Sequence, residues 1–267
     1  MTDMANKTSV HLERSGRIGY LVLDSGVEDH PPTLDIGVLE QLREVARKAT
    51  ADPESFRALV VRSTSPKYFA VGADLEALRA ADSRSIMDWV QRGNAVFAEI
   101  ENLPMPVIAR VEGYALGGGL ELALACDMIA ATRDSLFGFP EAGLGFIPGW
   151  GGSFRLPVRI GLSRARELFY TARIIGADEA LAIGLIGFAG TRDQLDRYLT
   201  ETYGQILKNS RVALRMIKAV SAFALPIDRA LLAQQEAAAS SVCLSHGDTR
   251  RRLEEFFEQR KERRKAK

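Results

Sequence analysis

The chain has 267 residues with a formal net charge of +1, 46% hydrophobic and 26% charged residues, the balance of one large globular domain, or a domain with an appendage, that buries about three quarters of its unfolded surface. So small a net charge supplies no field to recruit nucleic acid or a membrane surface, and no apolar run approaches the roughly 18 residues of a membrane span. Two cysteines, Cys126 and Cys243, make neither a disulfide framework nor a zinc site.

The N-terminal stretch MTDMANKTSV is polar and lacks the apolar core of a signal peptide, so the expected location is cytoplasmic. RIGYLVLD (17–24) alternates and reads as a strand that breaks into the loop SGVEDHPPT. Residues 34–52 repeat apolar side chains at helical intervals, which predicts an amphipathic helix. FRALVVRST (56–64) is a nearly continuous apolar run, the pattern of a buried strand. The alternation continues with a helix over 85–103, a strand over 106–113, a helix after three glycines and a strand over 128–134, an α/β pattern. Beyond about residue 190 only helical patterns follow. Residues 250–267 carry nine Lys or Arg against four Glu, which reads first as the solvated face of a terminal helix and second as a patch for an acidic group.

Three segments carry chemistry. In EGYALGGGLELALACD (112–127) three glycines precede an apolar helix that contains one acid, Glu121. A helix N-terminus presents free amides and partial positive charge, and glycine lets a ligand oxygen approach them. Gly117, Gly118 and Gly119 therefore read equally as a place for an anion or oxyanion and as a close helix–strand contact. KYFAVGADLEAL (67–78) offers a second such turn after the preceding strand, and two amide donors make an oxyanion hole. FGFPEAGLGFIPGWGGSFRLP (137–157) places one acid, Glu141, among Phe, Pro and Leu, where burial would raise its pKa. If Glu121 and Glu141 met in one pocket, one could serve as acid and the other as base. His11, His30 and His246 accompany no nucleophile motif and read as surface or core residues, Asp74 and Asp127 as backbone-binding groups, and Cys126 as a small buried residue.

Together the three segments, in this order and at these intervals, resemble the crotonase superfamily, the enoyl-CoA hydratase/isomerase family. GADEALAIGLI (176–186) and TRRRLEEFFEQRK (249–261) are also similar to family segments, so the resemblance covers essentially the whole chain. It implies an α/β fold made as a spiral of repeated ββα units over residues 1–195, with a helical region over 196–267 that assembles trimers or hexamers. It implies an enzyme that adds water to a 2-enoyl-CoA, or removes it from a 3-hydroxyacyl-CoA, with no cofactor beyond the coenzyme A of the substrate, no metal, and neither nucleic acid nor membrane as partner.

By the same resemblance the amides of Ala73 and Gly118 hold the thioester oxygen, and Ala73, Asp74, Leu75 and Glu76 line the CoA path. Glu121 activates the water, Glu141 protonates the α-carbon, and Gly149 helps to hold the water. Three departures from the family pattern stand out: HPPTLD (30–35) where an NAL-like element is usual, Glu76 where a lysine is common, and Trp150 where a small residue is frequent. The alternatives are a double-bond isomerase, which needs a single carboxylate, and a thioester hydrolase or decarboxylase on the same scaffold. A non-catalytic assembly protein ranks last because both acids and both loops are intact.

Overall fold

A computed structural model describes residues 8–27, 30–51, 55–222, 228–245 and 247–265. The N-terminal seven residues and His246 lie outside them. The chain begins with an antiparallel hairpin, β1 (Ser9–Ser15) and β2 (Ile18–Asp24), followed by α1 (Ile36–Ala51), whose Val38, Leu39, Leu42, Val45, Ala46 and Ala49 form the buried stripe that the sequence periodicity predicts.

Three turns of one pattern follow. In each, a strand enters a large sheet, a three-residue strand enters a small one, and helical structure leads to the next turn. The first turn is β3 (Ala58–Ser63), β4 (Tyr68–Ala70), α2 (Leu75–Ala80) and α3 (Ser83–Glu101). The second is β5 (Val107–Val111), β6 (Tyr114–Leu116) and α4 (Gly118–Leu124). The third is β7 (Met128–Thr132), β8 (Leu136–Gly138), a 3₁₀ turn (Pro140–Leu144), α5 (Gly152–Ile160) and α6 (Leu162–Thr171). Next come β9 (Ile174–Gly176), α7 (Ala177–Ala182) and β10 (Phe188–Gly190). Four helices complete the chain: α8 (Arg192–Lys208), α9 (Arg211–Ser221), α10 (Arg229–Ser245) and α11 (Gly247–Lys265).

The large sheet has the order β1-β2-β3-β5-β7-β10 and is parallel from β2 onward; the small sheet has the order β4-β6-β8-β9. This is the repeated ββα spiral expected from the resemblance. The short strands of the small sheet are absent from the sequence reading, because three residues are too few to display an alternation. The hairpin strand β1 is also absent from it: five of its seven residues are exposed or half-buried charged and polar groups.

β3 shows why its sequence is an unbroken apolar run. Leu59 and Val61 point into the main core, and Ala58 and Val60 into a second cluster with Ile18, Ile108, Ala130, Leu195, Leu199 and Ile206. A parallel sheet covered on both faces has no polar side to display. The division expected at 195/196 falls inside α8, whose Leu195 and Leu199 are buried in that second cluster. α8 is therefore packed onto the sheet.

The crossing from large to small sheet between β5 and β6 turns on Gly113. Its φ is +69°, and a Cβ there would fall inside contact distance of the Lys67 carbonyl, the acceptor for the Tyr114 amide at 3.0 Å. A side chain at this corner is excluded twice, by the left-handed backbone and by the neighbouring strand. Gly113→Ala is expected to lower stability by at least about 2 kcal/mol in urea unfolding, whereas Gly184→Ala, also at positive φ but with open space around it, is expected to cost about half as much.

Candidate active site

Two loops meet at the start of α4. Gly117, the residue before the helix, has φ +52° and ψ −127°, a region essentially restricted to glycine, and its amide donates to Gly138 O at 3.0 Å. The three glycines have different reasons. A Cβ on Gly117 would lie 2.7 Å from Glu141 Oε1, one on Gly118 would enter the ring of Trp150, and one on Gly119 would enter the Ala70 carbonyl. The close-contact reading of the sequence applies at Gly119, a helix–strand contact, while Gly117 and Gly118 make room at the helix start for an acid and an indole.

Gly118 is the first helical residue, so its amide has no acceptor within the helix. On the other loop, Leu34 N donates to Gly72 O at 2.8 Å and Asp74 N donates to Leu34 O at 3.4 Å. This pattern is a parallel bridge between Leu34 and Ala73, and it turns the amide of Ala73 away from Leu34. Gly72, at φ +90°, lies so close to α4 that a Cβ on it would come within 2.9 Å of Gly118 N. The amides of Ala73 and Gly118 thus belong to touching loops. HPPTLD backs this arrangement from behind, with Val71 N donating to Pro32 O at 3.0 Å.

Asp74 caps α2, its Oδ1 accepting from Ala77 N at 2.9 Å, and Asp127 accepts from Val107 N and Lys218 Nζ, each at 2.7 Å. Both hold backbone or structure, as their sequence context suggests. Leu75 is half-buried against the core and Glu76 is exposed in the first turn of α2. Cys126 is buried, and His11 sits at the surface beside Glu13.

The two acids come to one place. Glu121 is 2% exposed, and its Oε1 accepts from the amides of Trp150 and Gly152, each at 2.7 Å. Burial, then the negative fields of Glu236 and Glu141, push its pKa well above the ordinary carboxylate range. Glu141 rides on the 3₁₀ turn with Oε1 against Gly117, and its Oε2 is buried without a partner. Burial raises its pKa to about 8, so at neutral pH it is mostly a neutral acid with a proton to give.

Gly149 presents its carbonyl to Asn94 Nδ2 at 2.7 Å, and the amides gripping Glu121 are those of Trp150 and Gly152, one and three residues further on. The indole of Trp150 is buried between Trp89 and Phe97, with ring centroids 5.8 Å from each, and rests on Gly93 and Gly118. It is a packing residue that touches the oxyanion-hole candidate Gly118.

A third buried acid, Glu236 on α10, has no place in the sequence reading. It is 3% exposed and accepts from Asn94 Nδ2 at 3.0 Å, Gly151 N at 2.9 Å, Ser153 N at 3.3 Å and Ser153 Oγ. The signal was present: a single carboxylate inside the small-residue helix LLAQQEAAASSV.

Amides on two touching loops, beside two buried carboxyls of raised pKa, can polarise a carbonyl and move a proton at the adjacent carbon. The site is that of an acid–base enzyme acting next to a carbonyl. A family model described as enoyl-CoA hydratase/isomerase matches residues 29–266. Crotonyl-CoA hydratase of Syntrophomonas wolfei is 34% identical over 95% of this chain and 96% of its own length. Short-chain-enoyl-CoA hydratase of Clostridium acetobutylicum is 33% identical over the same shares. The crystal structure of an enoyl-CoA hydratase from Bacillus anthracis superposes with a TM-score of 0.76 at 31% identity, covering 95% of this chain and 96% of that one. The chain belongs to the enoyl-CoA hydratase/isomerase family.

The raised pKa of Glu141 has a sign for stability. Its carboxyl binds a proton more tightly folded than unfolded, where its pKa is about 4.5. The contribution is full below that value and declines as pH rises toward about 8. Between pH 5 and 8 the unfolding free energy of the wild type is expected to fall more steeply than that of Glu141→Gln, by up to about 1.4 kcal/mol per pH unit; parallel curves in urea titrations across that range would show that this carboxyl is not buried as described.

Proposed function

We propose that the chain is an enoyl-CoA hydratase, adding water to a 2-enoyl-CoA to give a 3-hydroxyacyl-CoA and catalysing the reverse dehydration. The observation that carries this reading is the second acid: Glu121 is buried within the field of Glu141, and the two carboxyls are held in different ways. Isomerisation needs one carboxylate to shuttle a proton, whereas hydration needs a base for the water and an acid for the α-carbon. The similarity to crotonyl-CoA and short-chain-enoyl-CoA hydratases supports it.

In this mechanism the two amides accept the growing charge on the thioester oxygen. Glu121 orients the water and takes its proton as the hydroxyl adds to the β-carbon. Glu141, neutral at the start, delivers its proton to the α-carbon on the same face, and proton exchange between the two acids and the solvent resets the pair. Gly149, in the turn that ends on the Glu121 donors, lies on the water side. Ala73, Asp74, Leu75 and Glu76 mark the edge along which the CoA would run. No cofactor is needed beyond the CoA carried by the substrate, and two free thiols, Cys126 and Cys243, suit the cytoplasm.

Crotonyl-CoA is expected to lose its conjugated-thioester absorbance with the wild type, and Glu121→Gln and Glu141→Gln are each expected to lower kcat by about 100- to 10,000-fold. Full activity in either variant would sink the assignment of roles, and conversion of a 3-enoyl-CoA without any hydration would establish the isomerase.

The same family reading places the chain in a homotrimer or a homohexamer. Val212, Met216, Ile217 and Val220 on α9 are exposed together at helical spacing, an apolar face suited to another copy. Sedimentation equilibrium should give three or six chain masses, and Ile217→Asp with Val220→Asp should reduce it; a wild type that sediments as one chain would refute the assembly.

A further inference from the structure

The turn between residues 149 and 153 sends successive amides in alternate directions. Trp150 N and Gly152 N donate to Glu121 Oε1; Gly151 N and Ser153 N donate to Glu236, which also accepts from Ser153 Oγ. Gly151, in the left-handed conformation at φ +101°, sits at the middle of this alternation. Asn94 of α3 closes the bracket, donating through one nitrogen to Glu236 Oε2 at 3.0 Å and to Gly149 O at 2.7 Å. One strip of backbone is thus stretched between two buried carboxylates, one on α4 and one on α10.

We propose that Glu236 is a positioning residue for Glu121, fixing the Trp150 and Gly152 amides, and through them the Glu121 carboxylate, by holding the alternate amides of the same turn. This rests on the hydratase reading for its kinetic consequence but not for its geometry. Among the described residues, the hydrogen bonds that Glu236 accepts come from that turn and from Asn94. Without it the Gly151 and Ser153 amides lose their acceptor inside the protein, and a buried amide without an acceptor drives rearrangement toward one. Any tilt of the turn moves both donors of Glu121, and a misplacement of about 1 Å in a catalytic group costs on the order of 100-fold.

The groups that face Glu236 are Asn94 from α3, Glu121 from α4, and Ser153 and Arg155 from α5, with Arg155 in turn paired to Glu101 at 3.0 Å. Because Glu236 is one of the two carboxylates whose field opposes ionisation of Glu121, a neutral isostere should also ease that ionisation.

The test uses Glu236→Gln in the full chain. Its kcat for crotonyl-CoA hydration is expected to fall by about tenfold to 100-fold, with KM changed less than about threefold, since the substrate amides of Ala73 and Gly118 are left in place. The acid limb of the pH profile should move to lower pH. NMR of protein carrying ¹³C-labelled glutamate carboxyls, with the Glu121 signal assigned by its loss in Glu121→Gln, reads the same shift without turnover. Ser153→Ala, which removes one donor to Glu236 and leaves the peptide chain intact, should move both readouts the same way by less and covers the case in which Glu236→Gln fails to fold. Unchanged kcat and an unmoved Glu121 titration, even with a lowered melting temperature, would overturn the proposal and leave Glu236 a structural residue. A wild type inactive on every enoyl-CoA would defeat the hydratase reading instead, and the NMR titration would still decide this one.

Discussion

Taking a carboxylate out of water costs several kcal/mol unless donors replace the water, and the centre of this protein contains Glu121, Glu141 and Glu236 with buried carboxyl oxygens. For two of them the donors come from one turn of main chain. That requirement accounts for the composition of PGWGGS better than any local preference does. A Cβ on Gly152 would stand 2.9 Å from Glu121 Oε1, and one on Gly151 would enter the guanidinium of Arg155. Arg155 in turn donates to Trp150 O at 2.9 Å and pairs with Glu101, so a buried cation steadies the same turn. Glu141 takes no donor from that turn; its Oε2 is buried without a partner, and burial raises its pKa to about 8.

Trp150 joins this turn to the start of α4. Its amide grips Glu121, and its indole lies on Gly118. Large and small residues are exchanged across the contact, since Gly93 on α3 and Gly118 on α4 are both bare where the ring rests. Such complementarity is what close packing demands, and it ties the positions of Glu121 and of Gly118 to one buried aromatic residue. A smaller residue at 150 would have to surrender either that rigidity or the volume it fills.

The long elements were legible in the sequence because each repeats its own period over enough residues: the stripe of α1, the double-sided burial of β3, the helices beyond Thr191. The three-residue strands were not, because a strand that short is defined by its neighbours in the small sheet and not by its own pattern. At the site, Gly118, Glu121 and Glu141 were legible by type and context, and the resemblance supplied their convergence, which no spacing of 20 residues could show. Glu236 was the harder case. It lies more than 80 residues from the turn it holds, and a single acid in an alanine-rich helix looks like a solvent-facing residue until the facing helix α3 is known.

The C-terminal helices are therefore part of the site. α10 supplies Glu236 to the turn that carries the donors of Glu121. α11 meets the 3₁₀ turn that carries Glu141: Thr249 is buried, its Oγ1 donates to Gly145 O at 3.0 Å, and Gly145, at φ +82°, leaves no room for a side chain against it. Each acid is seated in the spiral by its own segment and fixed from outside by a separate helix. The two carboxyls sit in one another's field, so their mutual distance sets how far their protonation states are driven apart. The same helical pair braces both of the segments that set that distance.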